Sequence, residues 1–142
     1  MARPRQTATS KPVGIVKGFR SGLEDVVADQ IASAGLDPKY ESMKIEYEKP
    51  ARKAKYTPDF PLGSIIIETK GRFTVEDRQK HLLIKAQHPE LDIRFVFSNS
   101  RQRIRKGSPT TYADWCNKHG FLFADKLIPE SWLREVRNKK NN

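Results

Sequence analysis

The chain has 142 residues, with 27 Lys and Arg against 17 Asp and Glu, a formal net charge of +10. That length suits one domain with a real core and argues against a second, and the charge favours polyanions such as DNA, RNA or an anionic membrane without dictating a fold. The single Cys116 excludes an intramolecular disulfide, and no signal core or apolar run of the roughly 18 residues that span a bilayer is present, so a soluble intracellular protein with no membrane partner is expected.

Residues 1–18 are read as a flexible basic arm, since "MARPRQTATSKPVGIVKGFR" holds five Lys and Arg after the start with no acid and no apolar period; a merely disordered terminus fits equally. In "SGLEDVVADQIASAG", Leu23, Val26, Val27, Ile31 and Ala34 recur at helical spacing and Gly35 supplies a stop. Ser21 and Glu24 would form a capping box, a sufficient structural reason for Glu24. Residues 39–55 read as one or two partly exposed extended segments ending in a basic, Pro-containing stretch. The β-branched run "SIII", 64–67, predicts a strand buried on both faces at the centre of a sheet.

"TVEDRQKHLLIKAQHP" predicts a helix capped by Thr74, stopped near Pro89, with Val75, Leu82, Leu83 and Ala86 facing inward. "LDIRFVFS" follows as a strand, and this strand, helix, strand order implies an α/β crossover unit with parallel strands. "SPTTYADWCNKHG" reads as a capped helix ending at Gly120, "FLFADKL" as a short strand and "PESWLREV" as a terminal helix.

The chemistry concentrates in "YTPDFPLGSIIIETKG", where eight residues separate Asp59 from Glu68 and Lys70 follows two positions later. Alternate side chains of a strand share a face, so Glu68 and Lys70 project together and Thr69 points the other way. Converging carboxylates repel unless a cation lies between them, and magnesium suits oxygen donors while leaving positions for phosphate and water. Such a site suits phosphodiester hydrolysis, with Lys70 orienting or deprotonating the nucleophile or stabilising added negative charge. The spacing P-D-x8-E-x-K is loose, and a salt-bridged strand end satisfies it too.

"SRQRIRKGS" gathers Arg101, Arg103, Arg105 and Lys106 just after a strand, as a backbone phosphate contact or a solvated loop. Lys49, Arg52, Lys53 and Lys55 are similar candidates, and none of these residues reads a base sequence, which suits recognition of DNA shape. Cys116 and His119 are read as a structural pair because a zinc site needs two more ligands. His81 and His88 are assigned to packing or solvent, and Trp115 and Trp132 to the core or its margin.

Beyond the generic pattern, "FRSGLED", "YTPDF", "ETKG", "DRQKHLLIKAQHPELDIRFVFS", "KGSPTTY" and "CNKHGFLFADKLIPESW" stand in one order from Phe19 to Trp132. In these segments the chain closely resembles the bacteriophage endodeoxyribonuclease I family, the Holliday-junction-resolving enzymes of T-odd phages. The resemblance implies a restriction-endonuclease-like α/β core, a mixed central sheet flanked by helices, carrying a PD-(D/E)xK nuclease site that cuts branched DNA with magnesium or manganese, up to two ions per site. Asp59 and Glu68 would bind metal with the carbonyl of Thr69, Glu24 would complete a second metal site, Lys70 would be the catalytic lysine, and the products would carry 5′-phosphate and 3′-hydroxyl ends.

The resemblance also implies an intertwined, strand-exchanged homodimer acting in the cytoplasm of the infected host. A bridge near residues 41–56 would join two lobes, so that Glu24 of one chain meets Asp59, Glu68 and Lys70 of the other. The nuclease domain would span 19–134 and a basic polar tail 135–142. Where the family's type member carries an acid this chain has Lys39, with Glu41 nearby, and the loop "FPLGS" is one residue shorter. A non-catalytic basic DNA-binding protein on the same fold is the competing expectation, which the retained set Glu24, Asp59, Glu68 and Lys70 opposes.

Overall fold

The computed structural model describes residues 22–49 and 52–140, so the N-terminal arm, the Ser21 cap and the last two residues of the tail lie outside it. In chain order the elements are α1 (Gly22–Ser33), β1 (Ile45–Lys49), β2 (Arg52–Tyr56), β3 (Phe60–Leu62), β4 (Ile65–Lys70), α2 (Val75–Gln87), β5 (Ile93–Phe97), α3 (Tyr112–His119), β6 (Leu122–Asp125) and α4 (Glu130–Lys140). The architecture is mixed α/β. Strands run β3-β4-β5-β6 in one sheet, with β3 antiparallel to β4 and the other pairs parallel, while β1 and β2 form a separate antiparallel pair.

The run that closes "SIII" makes β4 an interior strand, buried from Ile65 through Thr69. Parity then divides the core. Ile66 on β4 joins Ile93, Phe95 and Phe97 of β5 in a cluster with Tyr56, Phe73, Ile84 and Trp115, whereas Ile65 and Ile67 join Val27, Ile31, Phe60, Val96 and Leu133. Full burial of one such Ile contributes roughly 1.5–3 kcal/mol. Thus α2 and α3 cover one face and α1 and α4 the other, leaving both strand ends free to carry polar groups.

Two helices start as cap chemistry dictates, with Thr74 and Thr111 each in a reciprocal capping box, to Asp77 and Asp114. Gly120 ends α3 in the left-handed conformation (φ 77°), which a Cβ disfavours. The inward face of α2 departs from the predicted stripe: Val75 and Ala86 are exposed, Leu82 and Leu83 only partly covered, and the buried positions are Arg78, His81 and Ile84. Polar groups turn inward there because Arg78 Nη1 serves two loop carbonyls, Phe73 O at 2.7 Å and Ile104 O at 3.3 Å, while His81 packs edge-on among Tyr56, Phe95 and Phe121.

At the C-terminal end, α4 runs through the boundary placed at residue 134, with Val136 buried. The reason is a clamp on the sheet: Arg94 of β5, itself buried, donates to Glu135 at 3.0 and 3.1 Å and to Asp92 at 2.7 and 2.9 Å, with its guanidinium 5.3 Å from the Trp132 ring centre. Of the described residues in the predicted extended segment 39–55, only β1 and β2 are strand, and they pair antiparallel with Ile45 opposite Tyr56 and Lys49 opposite Arg52. Gln87 side-chain bonds to the Glu48 N–H (2.6 Å) and carbonyl (2.7 Å) dock β1 on α2. Among the described residues no helix is long and apolar enough to cross a membrane.

Candidate active site

Asp59 immediately precedes β3, whose first residue, Phe60, pairs with Ile67 and so leaves the last three residues of β4 without a β3 partner. The Thr69 N–H and hydroxyl therefore turn to the Asp59 carboxylate, both donating to Oδ2, at 2.9 and 2.7 Å. The backbones of Ile66 and Lys70 pair with β5, so the intervening odd-numbered Thr69 presents its backbone to the Asp59 side. Aspartate, Thr69 and the end of β4 become one unit through that mismatch of strand lengths.

Glu68 lies on the opposite strand face, 4 % exposed. Its Oε1 accepts the Tyr56 hydroxyl at 2.7 Å and the Asp59 N–H at 3.3 Å, and its Oε2 lies 3.8 Å from Lys70 Nζ. Burial, followed by the charge of Asp59, pushes the Glu68 carboxyl up to about 8, with Lys70 and the Tyr56 hydrogen bond pulling the other way. Burial likewise raises Asp59, restrained by the two Thr69 bonds and Lys70. Two carboxyls that resist ionising side by side form a site short of positive charge.

Lys70 is steadied by Asp77 Oδ1 at 3.1 Å, so the residue that caps α2 also holds the lysine. Although burial opposes it, Lys70 and the Thr74 bonds keep Asp77 below the usual carboxylate range. A second ammonium, Lys80, stands 5.6 Å over the Tyr56 ring, its pKa lowered by burial and then by Lys70. These groups occupy the carboxyl end of a parallel strand, where open α/β sheets bind their ligands.

The chain's full length agrees with this chemistry. A family profile described as phage endonuclease I matches residues 1–142. The chain belongs to the phage endonuclease I family. It is 53% identical over 131 residues to "Endonuclease I" of Escherichia phage T7, covering 92% of this chain and 88% of that one. It is 55% identical over 124 residues to "Endodeoxyribonuclease 1" of Enterobacteria phage T3, covering 87% and 82%. The protein is accordingly a nuclease, and the groups at the end of β4 can be read as those of a phage endonuclease I.

In this phage endonuclease I the sequence-predicted Asp59, Glu68, Thr69 and Lys70 come together. Glu24 lies on α1, in the layer over the other sheet face, where its Oε1 accepts the Tyr40 hydroxyl at 2.7 Å. Tyr40 packs against Phe60, with ring centres 5.5 Å apart, and the next residue's N–H, from Glu41, donates to the Asp59 carbonyl at 3.0 Å. Tyr40 and Glu41 thus connect Glu24 to the Asp59 backbone within one chain. Among the described residues no three His, Cys, Asp or Glu side chains form a ready metal centre.

Of the two acid-position candidates, Lys39 pairs with Asp37 at 3.9 Å, whereas the Glu41 charge adds to the rise of the Asp59 carboxyl. Glu41 has φ 49°, a left-handed conformation costing about 1–2 kcal/mol in a non-glycine residue. Arg101, Arg103, Arg105 and Lys106 are all exposed, on the loop that leaves the carboxyl end of β5 beside the acids. That loop is fixed: Ser100 bonds Asp125 through its N–H and hydroxyl, Ile104 N–H donates to Thr110 O at 2.9 Å, and Tyr112 N–H to Gln102 O at 2.9 Å.

The remaining candidates are structural. His81 is fully buried, its pKa driven down to about 3 by burial and by Lys70 and Lys80, and His88 bonds the Glu46 carbonyl of β1. Cys116 lies in the core, where burial pushes its thiol up to about 12, and His119 packs on Trp115 with ring centres 4.6 Å apart. Sequence reasoning misses Tyr40, Tyr56, Asp77 and Lys80. Only Asp77 leaves a local signal, the T-x-x-D cap pattern. A hollow of about 420 Å³ lined by Leu36, Leu62, Gly63 and Val136 lies at the other end of β4 and belongs to a different surface.

Proposed function

We propose that this endonuclease hydrolyses branched double-stranded DNA, four-way Holliday junctions included, with magnesium or manganese, leaving 5′-phosphate and 3′-hydroxyl ends in the cytoplasm of the infected host. The observation that carries this reading is the juxtaposition of Asp59 and Glu68, both buried and both resisting ionisation, with Lys70 alongside at the end of β4. Magnesium takes one or two carboxylates and keeps other positions for water and phosphate, so the pair with the Thr69 carbonyl fits its preference. Asp59, Glu68 and Thr69 would hold one ion and Glu24 would serve a second.

When bound, such an ion polarises a phosphoryl oxygen and lowers the pKa of water. The chain's own residues do the rest. Lys70, fixed by Asp77, offers its ammonium to negative charge on the phosphoryl group. Arg101, Arg103, Arg105 and Lys106 hold backbone phosphates on the same side of the sheet, and a groove of about 410 Å³ between the hairpin and α2 adds Lys49, Lys55 and Lys80, offset by Glu76 and Asp77 in its lining. Contacts of this kind follow DNA shape rather than sequence.

The active assembly in this reading is an intertwined homodimer on a restriction-endonuclease-like core, exchanging halves across the segment 41–56. Support comes from the hairpin's own sequence. Its register leaves only Pro50 and Ala51 between the paired Lys49 and Arg52. Favoured two-residue hairpin turns require positive φ at their first central residue, and proline is fixed near −65°. A connection disfavoured as a tight turn favours an extended crossing to a second chain.

The test is cleavage of an end-labelled synthetic four-way junction and of a linear duplex of the same sequence, each with Mg2+ and with chelator. Paired cuts at the branch that need the cation are expected. Equal cutting of the linear duplex would remove the branch specificity, and cutting in chelator the metal dependence. Stable binding with no cutting would leave a DNA-binding protein.

A further inference from the structure

Tyr56 ends β2 with its side chain sealed into the core, 1 % exposed, yet its hydroxyl reaches the acid at the centre of the site. The ring is held by the edge of His81, with centres 5.1 Å apart, and by Lys80 above it. Among the described residues the hydroxyl donates to Glu68 Oε1 at 2.7 Å, and the Asp59 N–H reinforces it on the same oxygen at 3.3 Å. The other oxygen, Oε2, pairs among the described residues with the Lys70 ammonium at 3.8 Å, beyond a normal hydrogen bond.

The two oxygens of Glu68 are therefore unequal. Oε1 has its lone pairs committed to two donors, and a carboxylate so held presents one oxygen to a cation. We infer that Tyr56 is a positioning residue that makes Glu68 a one-oxygen ligand and thereby favours small divalent cations over calcium. Magnesium demands near-ideal octahedral geometry with short bonds, whereas calcium accepts more ligands and carboxylates bound through both oxygens. Fixing Glu68 in the one-oxygen orientation discriminates between them by geometry rather than charge. The inference rests on the metal-dependent reading of this site.

The experiment titrates Mg2+, Mn2+ and Ca2+ into full-length protein without DNA, by calorimetry and by the cation-induced change in melting temperature, for wild type and Tyr56→Phe. Loss of the hydroxyl is expected to weaken Mg2+ and Mn2+ binding about 10- to 100-fold, the usual effect of removing a group that orients a ligand. Ca2+ binding should change less, so the preference for Mg2+ over Ca2+ shrinks. Because each protein is referred to its own cation-free melting temperature, a purely structural role would lower that baseline and leave the cation ratio unchanged, overturning the inference. If the variant does not fold, 4-fluorophenylalanine at position 56, which fills the same space without an O–H donor, must show the same shrunken preference, and an unchanged ratio there overturns the inference as well. Wild-type protein that binds no divalent cation would instead remove the metal reading itself.

Discussion

The Asp77 carboxylate accepts from Lys70 Nζ at 3.1 Å through Oδ1, while its Oδ2 accepts the Thr74 N–H at 3.1 Å. One side chain therefore starts helix α2 and fixes the lysine of the site. Asp77→Asn keeps an oxygen for the cap but removes the charge facing Lys70. Unfolding in urea should show a loss of about 1 kcal/mol or less, whereas single-turnover junction cleavage should fall about 10- to 100-fold with junction affinity nearly unchanged. Full activity would mean that Lys70 finds its place without Asp77.

Glu68 sets the response to pH. Its folded carboxyl sits at about 8 against 4.5 in the unfolded chain, so the folded state keeps a proton that the unfolded state releases. The contribution is complete below about 4.5 and is lost as pH rises through about 8. Cation-free protein should lose stability over that window, and Glu68→Gln should flatten the loss. His81 acts on the acid side, since its depressed pKa contributes stability above about 6.5 that fades as pH falls toward 3. Melting temperatures across pH 4–9 in chelator check both signs; a rise for wild type toward alkaline pH contradicts the Glu68 assignment.

Arg78 links the turn before α2 to the basic loop through Phe73 O and Ile104 O. Phe73 is held from its other side as well, its N–H donating to the Tyr112 hydroxyl at 3.2 Å. Arg78→Met keeps a long apolar stem and removes the donors, which should cost about 1.5–3 kcal/mol by urea unfolding. Junction binding in chelator should weaken and its salt dependence become shallower, by about 0.9 in log–log slope for each phosphate contact the loosened loop loses. An unchanged slope would detach the loop's pose from Arg78.

Glu24 separates the capping and metal-binding roles, because Glu24→Gln retains much hydrogen-bonding capacity but loses charge. Activity should collapse with little change in melting temperature. Mixing Glu24→Gln with Lys70→Ala protein under refolding conditions should restore cleavage, since exchanged halves rebuild one intact site, whereas each variant alone stays inactive. Failure of the mixture, with mixed dimers verified by mass, would place each site within one chain.

Local chemistry makes much of this fold legible. Thr74, Thr111 and Gly120 mark helix ends, and the β-branched run marks β4 and the face shared by Glu68 and Lys70. What a local pattern does not reveal is which polar groups a fold buries. The α2 face follows Arg78, His81 and Ile84 because two distant carbonyls need a donor, a demand invisible in the helix's own sequence. Tyr56 sits inside the motif "YTPDF", yet its bond to Glu68, 12 residues later, arises only when β2 meets β4. The T-x-x-D pattern exposes Asp77 as a cap while hiding its second oxygen.

The link between Lys49 and Arg52 divides the molecule in a further sense. Tyr40 and Glu24 both precede it, and Tyr56 and Glu68 both follow it, so each acid carries its own tyrosine. The ties across the link, from Gln30 to Ile128, Glu48 to Gln87 and Glu41 to Asp59, are the same whether made inside one chain or between two. The proposed exchanged form would then differ from the closed chain mainly by mass action. On the proposed exchange, refolding history becomes a variable: dilution would favour the closed chain and concentration the exchanged pair.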